Sequence, residues 1–441
     1  MPAPLKAVST SQTMPASADT VVIGAGIVGV SAAYWLARAG QKVVLIEKGQ
    51  VGAEQSSRNW GWCRQQNRDA RELPLATRSL SLWEGMAADI GDDMGFSRCG
   101  LLYLSDSDAE IDTWEKWGQF ARGEGIATRM LGAREAGERG IATGKKWKGG
   151  VWSPTDGTAD PSRAAPAIAA GILKHGGVVL QNCAARGIEH EAGSVTGVIT
   201  ERGVIRTRNA VLAAGAWAAS FLHQLDIEFP QAAVRSSILS VAPGAEGLPS
   251  ALHTSAVSVT RRSDGAYTLA ISGFAKVDPT PGAIYGARHF APMFAKRWRM
   301  LSPGGLQAWQ AGFETRRRWA MDRPTPMERI RVLDPRPSRR HLDMTLARAR
   351  NLLPALSKFP VQAEWAGYID STPDGVPVVD GDIGLRGLLL AAGFSGHGFG
   401  IGPGAGHLVA DMILGRAPVA SVSHYRLGRF AKAQWGKVSD Y

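Results

Sequence analysis

Cysteine is scarce: Cys63, Cys99 and Cys183 are too few, too far apart and odd in number for a disulfide framework. That pattern suits a reduced compartment, so a cytoplasmic location is expected. No CxxC pair and no clustered His/Cys set occurs, so no metal site is expected. No uninterrupted apolar run approaches the roughly 20 residues that cross a bilayer. Residues 1–18 lack the apolar core of a signal peptide; they are small, polar and proline-containing, and are expected to form a disordered tail. Acid is also in deficit, with 39 Asp and Glu against 50 Lys and Arg, which leaves a net charge of +11.

That deficit is local. Residues 288–350 hold fifteen Lys/Arg against five Asp/Glu, including Lys296-Arg297-Trp298-Arg299, Arg316-Arg317-Arg318-Trp319 and Arg339-Arg340. One reading is a solvated arginine-rich face. Another is peripheral contact with an anionic surface such as the inner membrane. A nucleic-acid surface, with Trp298, Trp309 and Trp319 as stacking platforms, is the weaker alternative. Elsewhere 44% apolar residues over 441 positions are enough for a large core.

What is present is glycine in specific places. Asp19 to Ile23 reads as a strand, Gly24-Ala25-Gly26-Ile27-Val28-Gly29 as a turn, Val30 to Ala39 as a helix and Lys42 to Ile46 as a second strand ending at Glu47-Lys48. Gly24 and Gly26 allow a tight turn and close approach to a pyrophosphate, and Gly29 lets the helix pack on the strand. The helix N-terminus then faces the phosphates. Glu47 can accept from a ribose diol and disfavours a 2′-phosphate. An adenine dinucleotide is the expected ligand.

A second glycine-rich stretch separates the kinds of dinucleotide. Gly387 to Ala392 reads as a buried strand, Gly393 to Gly406 as a loop with seven glycines in fourteen residues, and the chain then continues as a helix to Leu414. Such a loop before a helix N-terminus offers N–H donors and positive dipole to a reduced flavin anion, which a nicotinamide does not require. Ala213-Ala214-Gly215-Ala216-Trp217 closes another strand of the same sheet. FAD is therefore the expected cofactor.

With these stretches and Ser56-Ser57-Arg58-Asn59, the chain from about residue 19 to 430 resembles the D-amino-acid oxidase and sarcosine oxidase family of glutathione-reductase-like flavoenzymes. Ala53-Glu54-Gln55-Ser56-Ser57-Arg58 and Asn182 to Gly187 look most like the bacterial membrane-associated L-amino-acid deaminases. Those enzymes carry a helical insertion where this chain has its basic run, and an N-terminal membrane helix for which residues 1–18 offer no counterpart. The resemblance implies non-covalent FAD, with Ser56, Ser57 and Arg58 along its phosphates and ribityl chain. It also implies Ala185 at the adenine, Ala214, Gly215 and Trp217 near the dinucleotide, and Gly393, Gly396, His397, Gly398, Phe399 and Gly400 around the ring.

Two departures bear on chemistry. Sarcosine oxidases place a carboxylate-binding lysine where this chain has Gly400, and an oxygen-activating lysine where it offers Thr268. If the substrate is an amino acid, Arg64, Arg261 or Arg262 must receive its carboxylate, because a guanidinium can hold one in a bidentate fork. His397 is a candidate base or donor to the flavin. Loss of the second lysine leaves oxygen or a quinone or other carrier open as acceptor.

The expected fold is α/β (α+β overall), with a Rossmann-type FAD-binding domain on a parallel sheet (19–90, 150–230 and 360–441). An antiparallel-sheet substrate domain (91–149 and 231–359) is expected to carry the basic helical insertion at about 288–350. The expected reaction is oxidation of the CH–NH bond of an amino acid, L-configured by the resemblance, to an imine that hydrolyses to keto acid and ammonia. An N-methyl, cyclic or other secondary amine is the alternative substrate, and a basic nucleic-acid-binding flavoprotein the alternative of another class.

Overall fold

The computed structural model describes residues 3–310 and 312–431. The opening motif folds as strand β1 (Thr20–Ile23), helix α1 (Ile27–Arg38) and strand β2 (Val43–Ile46). Every residue of both strands is buried, as in a parallel sheet covered on both faces. The sheet has six strands in the order Val378–Asp380, Leu388–Ala392, Asn209–Leu212, β1, β2, Val178–Leu180. All its pairings are parallel except that of Val378–Asp380 with Leu388–Ala392. β1 lies at the centre, so the glycine turn emerges at the carboxyl edge, where open α/β sheets bind ligands. A three-stranded antiparallel layer, Ala185–Glu191, Ser194–Thr200 and Gly203–Arg206, accompanies it.

A ten-stranded, mainly antiparallel sheet forms the other half. Its longest pairing joins Ala232–Val241 to Val361–Ser371, and its far edge is made by Leu101–Ser105, Gly149–Ser153 and Arg129–Gly132. Two expected boundaries move as a result. Gly149–Ser153 and Val361–Ser371, assigned from sequence to the nucleotide-binding part, are strands of this second sheet, because their backbone partners lie there. Residues 432–441, the end of the 360–441 segment, lie outside the described residues, as do residues 1 and 2 of the expected tail.

Residues 3–18 are not a free tail. Val178–Leu180 is an edge strand, with backbone groups that need partners. Ser11 N donates to Val179 O at 2.7 Å, Thr10 Oγ1 accepts from Gln181 N at 3.0 Å, and Ala18 N donates to Arg206 O at 2.9 Å. Low hydrophobicity hid this, since the segment is held by backbone groups and short polar side chains such as Thr10 and Ser11.

The basic run is helical only in pieces. Pro281–Gly286, Ala291–Arg297, Gln307–Gln310 and Pro326–Arg329 are short, as the prolines dictate. Arg339–Leu352 is instead a regular helix of the second sheet, burying Leu342, Ala349 and Leu352 against Leu239 and Leu269. Part of the charge of the basic run is answered: Arg316 pairs with Glu228, Arg318 with Asp226, Arg331 with Glu201 and Arg339 with Glu364.

The late glycines divide between two roles. The helix starts at Gly398 and runs Gly398–Leu414, so Gly400 to Gly406 are helical. Gly402 and Gly406, one turn apart, face α1, where an added Cβ would lie 2.9 Å from Ile27 and 2.4 Å from Ser31. Gly400 and Gly404 face Trp62 O and Leu75 O, each 2.5 Å from an added Cβ. Gly406→Ala would also put a methyl 2.6 Å from Ala32 N, inside a helix that cannot yield cheaply. It should cost about 3 kcal/mol, read as a lowered thermal midpoint; an unchanged midpoint would contradict the close crossing.

Candidate functional site

The turn after β1 is built by steric necessity. Gly24 has φ +98, and a Cβ there would lie 2.5 Å from Ala213 O. At Gly29 it would lie 1.9 Å from Gly24 O. The Glu47 carboxylate accepts from Ala25 N and Gly49 N, both at 2.8 Å, and its burial raises its pKa. Ile27 N, at the start of α1, donates to Ser56 Oγ at 2.8 Å.

A cavity of about 780 Å³ runs from this turn to the N-terminus of Gly398–Leu414 and on into the second sheet. Of the sequence-predicted residues, Gly24, Gly26, Ile27, Val28, Glu47, Lys48, Ser56, Arg58, Ala185, Ala214, Gly215 and Trp217 line it at the first end. Gly396, His397, Gly398, Phe399 and Gly400 line it further along. Ala25, Gly29, Ser57 and Gly393 stand behind the wall. Ser57 Oγ donates to Glu54 O at 3.2 Å, and Gly393 N donates to Asp370 Oδ2 at 2.7 Å. Burial pushes the Asp370 carboxyl up to about 6.

Two lining cations are spent on the protein. Arg58 donates to Asp334 at 2.6 Å, Ala366 O at 2.7 Å and Ala53 O at 3.1 Å. Lys48 donates to Glu54 and to the carbonyls of Ile330 and Arg331, with its ammonium 4.9 Å from the Trp217 ring centre.

Arg64 lies in the cavity wall, and Arg68, which sequence reasoning passed over, stands beside it. Arg64 donates to Gln66 O, and Arg68 Nε donates to Arg64 O at 3.4 Å. Arg68 is 3% exposed and its Nη1 has no hydrogen-bond partner. Burial, and then the Arg64 charge, lower its pKa to about 10. The loop is pinned from behind: Asp156 accepts from Gln65 N and Gln66 N at 2.7 and 3.1 Å.

His397 meets this pair from the other side. Its Nδ1 is 3.2 Å from Glu72 Oε2. Burial lowers its pKa, Arg68 and Arg64 add to that, and Glu72 opposes it. Donation from Nδ1 to Glu72 leaves Nε2 as an acceptor.

The other two candidate arginines stand elsewhere. Arg261 is exposed at the end of Ser258–Arg261, and Arg262 is buried against Asp160 at 3.4 Å; neither lines the cavity. Both stand at the hairpin turn of Asp264-Gly265, outside the cavity wall, which corrects the sequence expectation. Thr268 is buried in the sheet between Ser240 and Thr260, and the segment after it, from Ile271 to Ala275, reaches the cavity instead. Trp60, Trp62 and Arg297 also line the cavity. The tryptophan loop hinted at the first two, while nothing in the sequence singled out Arg297 from its basic neighbours.

The "FAD dependent oxidoreductase" (DAO) family model matches residues 19–412. The chain belongs to that family. The L-amino acid deaminase of Proteus myxofaciens, solved with anthranilate, superposes with a TM-score of 0.91 at 26% identity, covering 97% of each chain. For the deaminase of Proteus vulgaris the TM-score is 0.90 at 25% identity, over 96% of this chain and all of that one. A form of the latter lacking its specific insertion sequence gives 0.77 at 23% identity, over 97% of both chains. Sarcosine oxidase subunit beta of Rhizobium meliloti is 25% identical over 423 residues, which are 94% of this chain and 88% of that one.

The residues present suit the family's FAD. Gly24 and Gly26 present bare backbone to the cavity where a pyrophosphate would approach, and Glu47 stands at the tip of β2. A second helix N-terminus, at Gly398, faces the far part of the same cavity. The lining thiol is Cys183, whose N donates to Glu47 O at 2.8 Å, at the first end of the cavity and away from Gly396–Gly400.

Proposed function

We propose that this flavoenzyme oxidises the CH–NH bond of an L-α-amino acid, yielding an imine that adds water and releases ammonia to leave a keto acid. The observation that carries the reading is the Arg64 and Arg68 pair in the cavity wall beside His397 and the Gly398 helix start. A buried guanidinium with an unpartnered Nη1 is a ready receptor for a carboxylate. Bound FAD, held non-covalently, supplies a two-electron hydride acceptor.

The chain's own part is orientation. The arginines fix the carboxylate, so Cα–H can be turned toward the ring end of the cavity. His397, kept neutral by burial and tied to Glu72, offers Nε2 to a proton of the substrate amine. Similarity over nearly the whole chain to two L-amino acid deaminases, with TM-scores of 0.91 and 0.90, supports the L-deaminase reading. Similarity to sarcosine oxidase subunit beta supports the alternative of a secondary amine.

Anaerobic mixing of the purified holoenzyme with L- and D-amino acids, sarcosine and proline tests this. Bleaching by L-amino acids is the expected result, bleaching by secondary amines alone would favour the alternative, and no bleaching by any amine would sink the proposal. Among the described residues the one lining lysine, Lys48, is held at the phosphate end, which supports a quinone or carrier over oxygen as acceptor. Reoxidation by a quinone should therefore outpace reoxidation by air.

The basic insertion is proposed to rest on an anionic membrane. No helix among the described residues is long and apolar enough to cross one. Ile284, Tyr285, Phe294, Trp298, Leu306 and Trp309 are exposed here, interspersed with Arg288, Lys296 and Arg299. Apolar side chains with a basic fringe suit the headgroup region. Trp319, whose indole donates to Arg186 O at 2.8 Å, is not free to stack on bases, which weighs against nucleic acid. The protein should sediment with phosphatidylserine vesicles at low salt, and a Trp298→Glu, Trp309→Glu double variant should not. Equal recovery of both in the supernatant would remove the membrane role.

A further inference from the structure

The cavity that holds the arginine pair is also walled by Ile271, Phe274, Phe290, Met293, Leu301 and one side of the exposed Phe294. Among lining residues from Ile271 to Leu301, Arg297 alone is charged. It ends the short helix Ala291–Arg297, is half-buried, and has no carboxylate acting on it among the described residues; burial lowers its pKa. The other lining cations all have anions behind them. Arg58 has Asp334, Lys48 has Glu54, and Arg64 and Arg68 lie near Asp156, with Glu72 also beside Arg68.

A lone guanidinium in an apolar chamber is costly unless a ligand answers it. Resting on the amino-acid reading above, we propose that the substrate carries a second acid. It is an α-amino acid whose side chain ends in a carboxylate or similar oxyanion, with the α-carboxylate at Arg64 and Arg68 and the distal anion at Arg297. The apolar walls between take the methylenes of the side chain. A site built around a buried polar group rejects an isostere lacking the partner, because the group is then left unpaired.

The test compares size-matched pairs by anaerobic flavin reduction of the holoenzyme: L-glutamate with L-glutamine, and L-2-aminoadipate with L-norleucine. In the native protein the acidic member of each pair should show a reduction rate constant over Kd at least about tenfold higher. Arg297→Gln should bring that ratio to within about threefold of one, and Arg297→Lys should keep part of the preference. A native preference for the neutral members would overturn the proposal. So would an Arg297→Gln variant that slows both members of each pair in proportion, since Arg297 would then only draw carboxylates inward. Reduction by neutral amino acids without preference would leave the amine-oxidation reading standing while refuting the second acid. No reduction by any of the four would refute both.

Discussion

Arg68→Met is expected to lower kcat/KM for the best amino-acid substrate by 100-fold or more while leaving the flavin spectrum unchanged. Arg68 is almost wholly buried with Nη1 unpartnered, so a substrate carboxylate arriving there would leave water for one dominant partner. Removing one member of a buried, hydrogen-bonded charge pair costs about 3–5 kcal/mol, because the other charge is stranded. At 1.4 kcal/mol per decade that is two to three orders of magnitude. Arg68→Lys should recover only part, since an ammonium cannot reproduce the planar fork. Arg64→Met should cost less, because one nitrogen of Arg64 already serves Gln66 O. Steady-state kinetics with ketoacid detection decides the matter, and a value within threefold of native for Arg68→Met would remove Arg68 from substrate binding.

Gly24→Ala is expected to yield protein without flavin. The added Cβ would sit 2.5 Å from Ala213 O and 3.2 Å from Ala214 Cα, at a φ of +98 that L side chains rarely adopt. Both the turn and the end of Asn209–Leu212 would have to move, at a cost of about 2–4 kcal/mol, and the phosphate cradle would move with them. Gly26→Ala makes the contrast: its Cβ meets only Ser56 Oγ, at 3.3 Å, a side chain able to rotate. The ratio of absorbance at the flavin band to protein absorbance reads the result. Full flavin in purified Gly24→Ala would mean that the dinucleotide does not lie against this turn.

Sequence carried the nucleotide-binding half because its constraints are local. Gly24, Gly26 and Gly29 are dictated by contacts within thirty residues or with one neighbouring strand, so their spacing can be read from the chain itself. Arg64 was legible for the same reason, since it follows the Ser56 to Arg58 stretch directly. Arg261 and Arg262 misled because a hairpin turn rich in arginine looks alike whether it faces a ligand or solvent. Only the register of Ser258–Arg261 against Tyr267–Ala270 decides that. Arg68 and Arg297 were hidden by abundance, in a chain with 50 Lys and Arg; the orphaned Nη1 of buried Arg68 and the apolar cavity wall around half-buried Arg297 distinguish them. The late glycines look like ligand-binding residues in sequence, yet Gly402 and Gly406 serve a helix crossing formed with residues nearly four hundred positions earlier.

Val361–Ser371 pairs with Ala232–Val241 along its whole length, and near its end Asp370 holds Gly393 N while also meeting Gln231. One strand is thus a shared beam: Gly367, Ile369 and Ser371 line the cavity, and Asp370 among them anchors the start of the loop that leads to Gly398. A parting of the two halves would leave that ladder intact, since both its strands belong to the second sheet, and would break the grip of Asp370 on Gly393.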